Sequence, residues 1–315
     1  MERLAYPRFP FAHTYSIVAR DPETGFFGVA VQSHWFSVGS VVAWAEPGTG
    51  AVATQAIAEV NYGPLGLELM RFGKSASESL KKLLANDERR EYRQVAMVDS
   101  QGRVATHTGT KCIGYASHLI GEQFSVQANM MKNPDVVPAM AKAYREAQGD
   151  LAERLMVTLE AAQAAGGDIR GQQSAALIVV GPTRSKYPWN DTIMDLRVED
   201  RPNPLVKLRS LLNTQRAYTL MNRGDQLLAQ NDIANALEAY SSAAALAPDI
   251  EELPFWKAVT LADIGRLDEA LPIFKEVFAI NPNFAELATR LPQVGLLPDD
   301  EAMMKSIQAQ LPKKK

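Results

Sequence analysis

Residues 14–31 read Thr14-Tyr15-Ser16-Ile17-Val18-Ala19-Arg20-Asp21-Pro22-Glu23-Thr24-Gly25-Phe26-Phe27-Gly28-Val29-Ala30-Val31. Two β-rich runs, Thr14 to Ala19 and Phe26 to Val31, flank a short polar connection. Pro22 and Gly25 inside that connection supply the backbone angles of a tight turn, so the stretch predicts a β-hairpin. A third β-like run, Ala51 to Ile57, follows the turn Pro47-Gly48-Thr49-Gly50. Tyr92 to Val98 and Arg103 to His107 predict another hairpin around Asp99-Ser100-Gln101-Gly102. Phe124 to Gln127, Ser174 to Val180 and Ile193 to Val198 complete the predicted strands.

Helical segments fall between these strands. Ser75-Ala76-Ser77-Glu78 has capping-box spacing, and Leu80, Leu83 and Leu84 then recur at helical intervals. Asn133-Pro134 predicts a cap residue followed by proline at the first helical position. Leu151, Leu155, Met156 and Leu159 line one face of a helix that Gly166-Gly167 should end. Hairpin strands separated by long helices predict an α+β fold with layered sheets. No Walker-type or dinucleotide glycine motif is present, so no cofactor is expected.

From Pro204 onward the texture is all helix. Ala236, Tyr240 and Pro248 recur 34 residues later as Ala270, Phe274 and Pro282. Gly224 and Leu227 in the first unit, and Ala258, Leu261 and Gly265 in the second, place small residues where helices cross. The pattern resembles two tetratricopeptide repeats, 217–250 and 251–284, within a helical domain of residues 205–315. Pro254, early in a first helix, and Val277, at a position usually small, depart from it. Two repeats are fewer than the three or so that bury a continuous core, so their ends need covering. Leu205 to Leu212 and Glu301 to Leu311 are the predicted capping helices; packing on the N-terminal domain or a second subunit is the alternative. Such a module is expected to contact a protein partner.

The 315 residues carry 33 Lys and Arg against 36 Asp and Glu, a net charge of −3, which argues against nucleic-acid binding. With 46% hydrophobic residues the chain has ample material for cores, and no apolar run approaches the length of a membrane span. One cysteine, Cys112, excludes an internal disulfide framework, and no secretory signal opens the chain. A cytoplasmic protein is expected, bound to neither membrane nor nucleic acid. Incomplete repeats and exposed sheet edges predict a homo-oligomer.

The N-terminal region also resembles an uncharacterised bacterial family assigned to the N-terminal-nucleophile (Ntn) hydrolases. The resemblance begins with Thr14 to Gly25 and continues in order through Gly50 to Ala56, Tyr62-Gly63-Pro64, Gly66 to Leu69 and Glu91 to Gln94. Val126 to Met130, Gly166 to Leu177 and Asp195 to Val198 agree as well, so the likeness spans roughly residues 13–212. It implies a four-layer αββα sandwich over 14–204 and a nucleophile at the head of the first strand, here Thr14. A threonine hydroxyl is a weak nucleophile, and in such enzymes the free α-amine of the same residue serves as its base. Thirteen residues stand in front of Thr14, so Met1–His13 is either a removable propeptide or an extension that keeps Thr14 from acquiring that amine. An ordinary strand residue is the alternative for Thr14, and Ser16, two along on the same face, is a weaker substitute.

The supporting residues each carry two readings. His34, at the end of the second strand, orients a base or substrate, or is a satisfied structural histidine. Asn129 is an oxyanion donor or a turn former. Gln55, Asn61 and Gln127 are candidate substrate-binding polar residues. Asp168 and Arg170 either bind a substrate carboxylate bidentately or brace their loop as an ion pair. Cys112, His107 and His118 fit no zinc spacing, and no metal is expected. Cys112 reads as a small buried hydrophobe, with a thiol–imidazole pair to His107 as the alternative. The functional expectation is an amidohydrolase acting on a small amide or peptide-like substrate through Thr14. The competing expectation is a non-catalytic scaffold or small-ligand binder that recruits a partner through its repeats.

Overall fold

The computed structural model describes residues 11–312. Its strands are β1 (Phe11–Ala12), β2 (Thr14–Arg20), β3 (Phe27–Ser33), β4 (Ala43–Glu46), β5 (Gly50–Ile57) and β6 (Arg93–Asp99), followed by β7 (Val104–Thr108), β8 (Ser117–Gly121), β9 (Phe124–Ala128), β10 (Ser174–Val180) and β11 (Thr192–Val198). The helices are α1 (Gly39–Val42), α2 (Tyr62–Arg71), α3 (Ala76–Ala85), α4 (Val136–Glu146), α5 (Leu151–Ala164) and α6 (Pro204–Ala229), then α7 (Ile233–Leu246), α8 (Glu252–Asp263), α9 (Leu267–Ile280), α10 (Asn283–Arg290) and α11 (Glu301–Gln308). None is long and apolar enough to cross a membrane. Contact density divides the chain between Leu211 and Leu212.

The predicted hairpin forms, with Thr14 opposite Ser33 and Arg20 opposite Phe27. Its turn closes because Asp21 Oδ1 accepts from the Glu23 amide and Oδ2 from the Thr24 hydroxyl. Gly25 follows at φ 73°, a left-handed angle that a side chain resists. The hairpin sits inside an antiparallel six-stranded sheet in the order β11-β10-β3-β2-β9-β8. A second sheet runs β1-β5-β6-β7, with β4 also paired to β5.

The two sheets pack face to face. Val18, Val29, Val31, Ile178 and Val180 from one sheet meet Ala51, Ala53, Ala96 and Val98 from the other in one buried cluster. Each large aliphatic side chain buried this way contributes about 1.5–3 kcal/mol. The outer face of the second sheet is covered by α2 and α3, where Leu67, Met70 and Leu80 pack on Val52, Val95 and Met97. On the six-stranded sheet α4 and α5 do the same. Gly28 lets α5 approach closely: a Cβ at that position would stand 2.5 Å from Leu155 Cδ1, which would have to shift.

The capping box holds, with Ser75 Oγ accepting from the Glu78 amide and Glu78 Oε2 accepting from the Ser75 amide. Helix α5 ends just before Gly166 and Gly167, both at positive φ. The helix expected from Asn133-Pro134 begins later, at Val136. Asn133 Oδ1 accepts the Asp135 amide in a turn of its own, which delays the first helical residue. The segment Leu205 to Leu212, expected as a separate cap, is the opening of the 26-residue α6.

The second unit is all helical. Ala236 and Ala270, and Tyr240 and Phe274, are buried at equivalent places on α7 and α9. Tyr240 packs where a Cβ on Gly224 would meet its ring at 2.6 Å, and its hydroxyl donates to Asp225. Phe255, Phe274, Phe278 and Phe284 stack at centroid distances of 4.8–5.9 Å. Helix α11 joins this cluster through Ile307, and Gln308 Nε2 donates to the Ala285 carbonyl.

Candidate functional site

At one end of the inter-sheet interface the apolar pattern gives way to polar side chains. Thr14 and Ser16 on β2, Gln55 on β5, Gln94 on β6, and Ser125, Gln127 and Asn129 on or just after β9 are all 0% exposed. Alternation dictates this, because these positions share the strand phase of Val18, Ala53 and Ala96, which face the opposite sheet. Buried polar groups need partners, and here they supply one another. Ser125 Oγ, itself accepting from Thr106, donates to Gln127 Oε1; Gln127 Nε2 donates to Ser16 Oγ at 2.6 Å, and Ser16 Oγ donates to Gln55 Oε1 at 2.6 Å. Gln55 Nε2 reaches Gln94 Oε1 at 2.7 Å and the Thr14 carbonyl at 3.2 Å. Gln94 Nε2 donates to Thr108 Oγ1 and to the Ser117 and Ala128 carbonyls, and Asn129 Nδ2 donates to Gln94 Oε1.

The peptide bond between His13 and Thr14 lies against this network. The His13 carbonyl accepts from Ser33 Oγ at 2.7 Å and from Arg170 Nη2 at 2.7 Å. Arg170 is held by Asp168, Nε to Oδ1 at 3.0 Å and Nη2 to Oδ2 at 2.7 Å. Asp168 also accepts the Arg170 and His34 amides, so the loop-bracing reading and the carbonyl contact coexist. The His13 ring meets Asn129 Oδ1 through Nδ1 at 2.7 Å. An amide oxygen only accepts, so Nδ1 carries the hydrogen. Burial is the main cause that holds the His13 imidazole pKa below its ordinary value; Asn129 opposes that shift and the Arg170 cation adds to it.

Thr14 Oγ1 donates to the Ala12 carbonyl at 2.6 Å. Ala12 is 0% exposed and pairs with Ala56 of β5, as Phe11 pairs with Ile57. The residues just ahead of Thr14 therefore cover it and run as a short strand along the edge of β5. Ala56 at φ 73° and Met130 at φ 58° follow Gln55 and Asn129 directly. Left-handed angles at non-glycine residues cost energy, and here they flank the two amides that meet at Gln94.

His34, Asn61, His107 and Cys112 lie outside this cluster. The His34 ring is exposed, with Nδ1 at 3.4 Å from the Gln172 carbonyl. Asn61 is exposed ahead of α2, its amide donating to the Glu59 carboxylate. Asn129 is in the cluster, yet its amide nitrogen points at Gln94; the donors on the His13 carbonyl are Ser33 and Arg170. His107 and Cys112 do not bond each other: His107 Nε2 meets the Arg90 carbonyl and Cys112 Sγ the Arg93 carbonyl. Cys112 is half-buried rather than buried, and burial pushes its thiol pKa up to about 11. A 640 Å³ surface cavity beside α3 and β7 includes His107, Lys81 and Arg90, but not Thr14. No group of three metal-ligating side chains occurs among the described residues. Ser33, Gln94 and His13 were not singled out by sequence; Ser33 was within reach, because the hairpin register sets it opposite Thr14.

A model described as a family of unknown function, DUF1028, matches residues 14–208. A tetratricopeptide-repeat model matches residues 227–291. The crystal structure of protein SPO2555 from Silicibacter pomeroyi, assigned to the same DUF1028 family, is similar at 29% identity with a TM-score of 0.58. The likeness covers 64% of this chain and 88% of that one. No curated protein matches.

Proposed function

We propose, for a chain that belongs to the DUF1028 family of unknown function through residues 14–208, that Thr14 cleaves its own bond to His13 and then acts as the nucleophile of an Ntn-type amidohydrolase. The observation that carries this reading is the pair of donors, Ser33 Oγ and Arg170 Nη2, each 2.7 Å from the carbonyl of the bond that would break. An oxyanion forming on that oxygen is held by one neutral and one charged hydrogen bond, already in place. The layering of helices, two sheets and helices supports the Ntn fold assignment.

In the first step Thr14 Oγ1 adds to the His13 carbonyl carbon. The C–N bond then breaks, the hydroxyl proton passes to the departing Thr14 nitrogen, and an ester joins His13 to Thr14. Water hydrolyses the ester, releasing a His13 carboxylate and leaving Thr14 with a free hydroxyl and a free α-amine. That amine, with an ordinary pKa of ~7.7–8.0, takes the hydroxyl proton when a substrate amide is attacked and gives it to the leaving amine. Water finally frees the acyl group from Thr14.

Intact-mass measurement of the full chain over time tests the proposal. The expected result is loss of Met1–His13 from wild type and from Thr14→Ser, and none from Thr14→Ala. A wild-type mass unchanged after prolonged incubation, or equal cleavage of Thr14→Ala, overturns it.

One observation favours a second reading. Thr14 is 0% exposed, and its nitrogen is acylated by His13. A chain that stays so is a scaffold whose tetratricopeptide repeats contact a protein partner, and an unchanged wild-type mass is the outcome it requires.

A further inference from the structure

We propose that the seat occupied by Ala12 and His13 is the acyl-side substrate site. It would select a peptide-like amide whose acyl part ends in a small residue followed by a residue with a hydrogen-bond-donating side chain, such as Ala-His. This rests on the self-cleavage proposed above and specifies what the freed site takes.

The segment ahead of Thr14 occupies a place built for a strand. Its backbone pairs antiparallel with Ala56 and Ile57 at the open edge of β5. Ala12 lies wholly buried in the inter-sheet cluster that includes Val31, Ala53 and Ala58, leaving no room for a larger side chain. The His13 ring gives its Nδ1 hydrogen to Asn129 Oδ1, and its carbonyl takes the Ser33 and Arg170 donors.

Departure of residues 1–13 leaves this seat chemically explicit. Ser33 Oγ loses its acceptor, Arg170 Nη2 loses one of its two acceptors and keeps Asp168, Asn129 Oδ1 loses its donor, and the Ala56–Ile57 edge loses its strand. Unsatisfied groups of this kind discriminate strongly between ligands that restore the bonds and ligands that do not. An incoming acyl chain laid along β5 restores them all and brings its carbonyl to the donors beside Thr14. Leader and substrate would thus be read by the same contacts.

The test uses the full chain after its self-cleavage is complete and the released peptide has been removed. Coumarin amides of acetyl-Ala-His, acetyl-Trp-His and acetyl-Ala-Leu are compared. The expected kcat/KM for Ala-His is at least about tenfold above the other two, since a hydrogen-bonding or steric mismatch costs at least that much. Asn129→Leu is expected to erase the preference for His over Leu while keeping that for Ala over Trp. Turnover of all three amides within about threefold overturns the proposal and leaves the nucleophilic role of Thr14 standing. If no amide is hydrolysed, calorimetry with free acetyl-Ala-His and acetyl-Trp-His decides: tighter binding of the former supports the seat, and absence of that difference overturns it. Failure of self-cleavage itself removes both proposals.

Discussion

Replacing Gln94 with leucine should damage the sandwich far more than a volume-matched change at an ordinary core position. The side chain is 0% exposed, and its Oε1 accepts from Gln55 Nε2 at 2.7 Å and Asn129 Nδ2 at 2.9 Å. Its Nε2 serves Thr108 Oγ1 and two backbone carbonyls at 2.9–3.1 Å. Leucine fills much the same space, so the cost is polar rather than a cavity. Asn129 Nδ2 loses its acceptor, at about 1–3 kcal/mol for a buried donor left without one. The carbonyls and Gln55 keep other bonds and lose about 0.5–1 kcal/mol each. The total is about 2.5–6 kcal/mol, a drop of roughly 10²–10⁴-fold in amide protection for the most slowly exchanging residues of the sandwich. Hydrogen exchange read by mass spectrometry on peptides covering β6 and β9 measures it. Thr108→Val, which removes one bond to the same amide and one to His118 Nδ1, should cost about 1–2 kcal/mol and lower protection roughly 5–30-fold. If Gln94→Leu costs no more than Thr108→Val, the network is not what orders this end of the interface.

Arg170→Gln should slow release of Met1–His13 by about 10²–10³-fold, the usual effect of deleting one oxyanion donor, as followed by intact mass. An unchanged rate would remove Arg170 from the chemistry. His13 and His118 both have pKa values lowered from 6.5, chiefly by burial. The unfolded state therefore takes protons that the folded state resists, so stability is full above pH 6.5 and declines as pH falls through that value. Exchange in peptides spanning 11–16 and 117–121 of the uncleaved Thr14→Ala chain, corrected for intrinsic rates, should rise as pH falls from 7.5 to 5.5; a flat or opposite trend contradicts the assignment. Gly224→Val should lower the melting midpoint of the helical unit and deprotect α7, at about 1–3 kcal/mol, because its Cβ would stand 2.6 Å from the Tyr240 ring. Unaltered protection of α7 would show that the two helices do not approach as described.

The elements written in short-range chemistry were legible. The hairpin turn needs only Asp21, Pro22 and Gly25, the capping box only Ser75 and Glu78, and the repeat only small and aromatic residues at a 34-residue offset. What sequence did not disclose depends on pairing between distant strands. Gln55, Gln94 and Gln127 read singly as polar residues in β-rich runs; their shared purpose arises only when β5 and β6, paired side by side, meet β9 of the other sheet across the interface. Strand β1 escaped for the same reason, since two residues carry no periodicity and are fixed by the edge of β5. The start of α4 differs from the sequence expectation by two residues because Asn133 satisfies a local turn as readily as a helix cap.

The division of the inter-sheet space into an apolar end and an amide-bearing end has a mechanical consequence. Valine and alanine side chains offer nearly equivalent contacts after a small displacement, so the apolar end resists sliding weakly. The amide-bearing end has one set of matched donors and acceptors, and a lateral shift of one sheet by a single residue breaks together the links that cross between the sheets: Ser16 to Gln55, Gln55 to the Thr14 carbonyl, Asn129 to Gln94, and Gln94 to the Ser117 and Ala128 carbonyls. That end behaves as a pin through two stacked plates. Slow shear motions of the sheets should therefore pivot about Gln55 and Gln94 and grow with distance from them, leaving the bond between His13 and Thr14 at the stillest point of the domain.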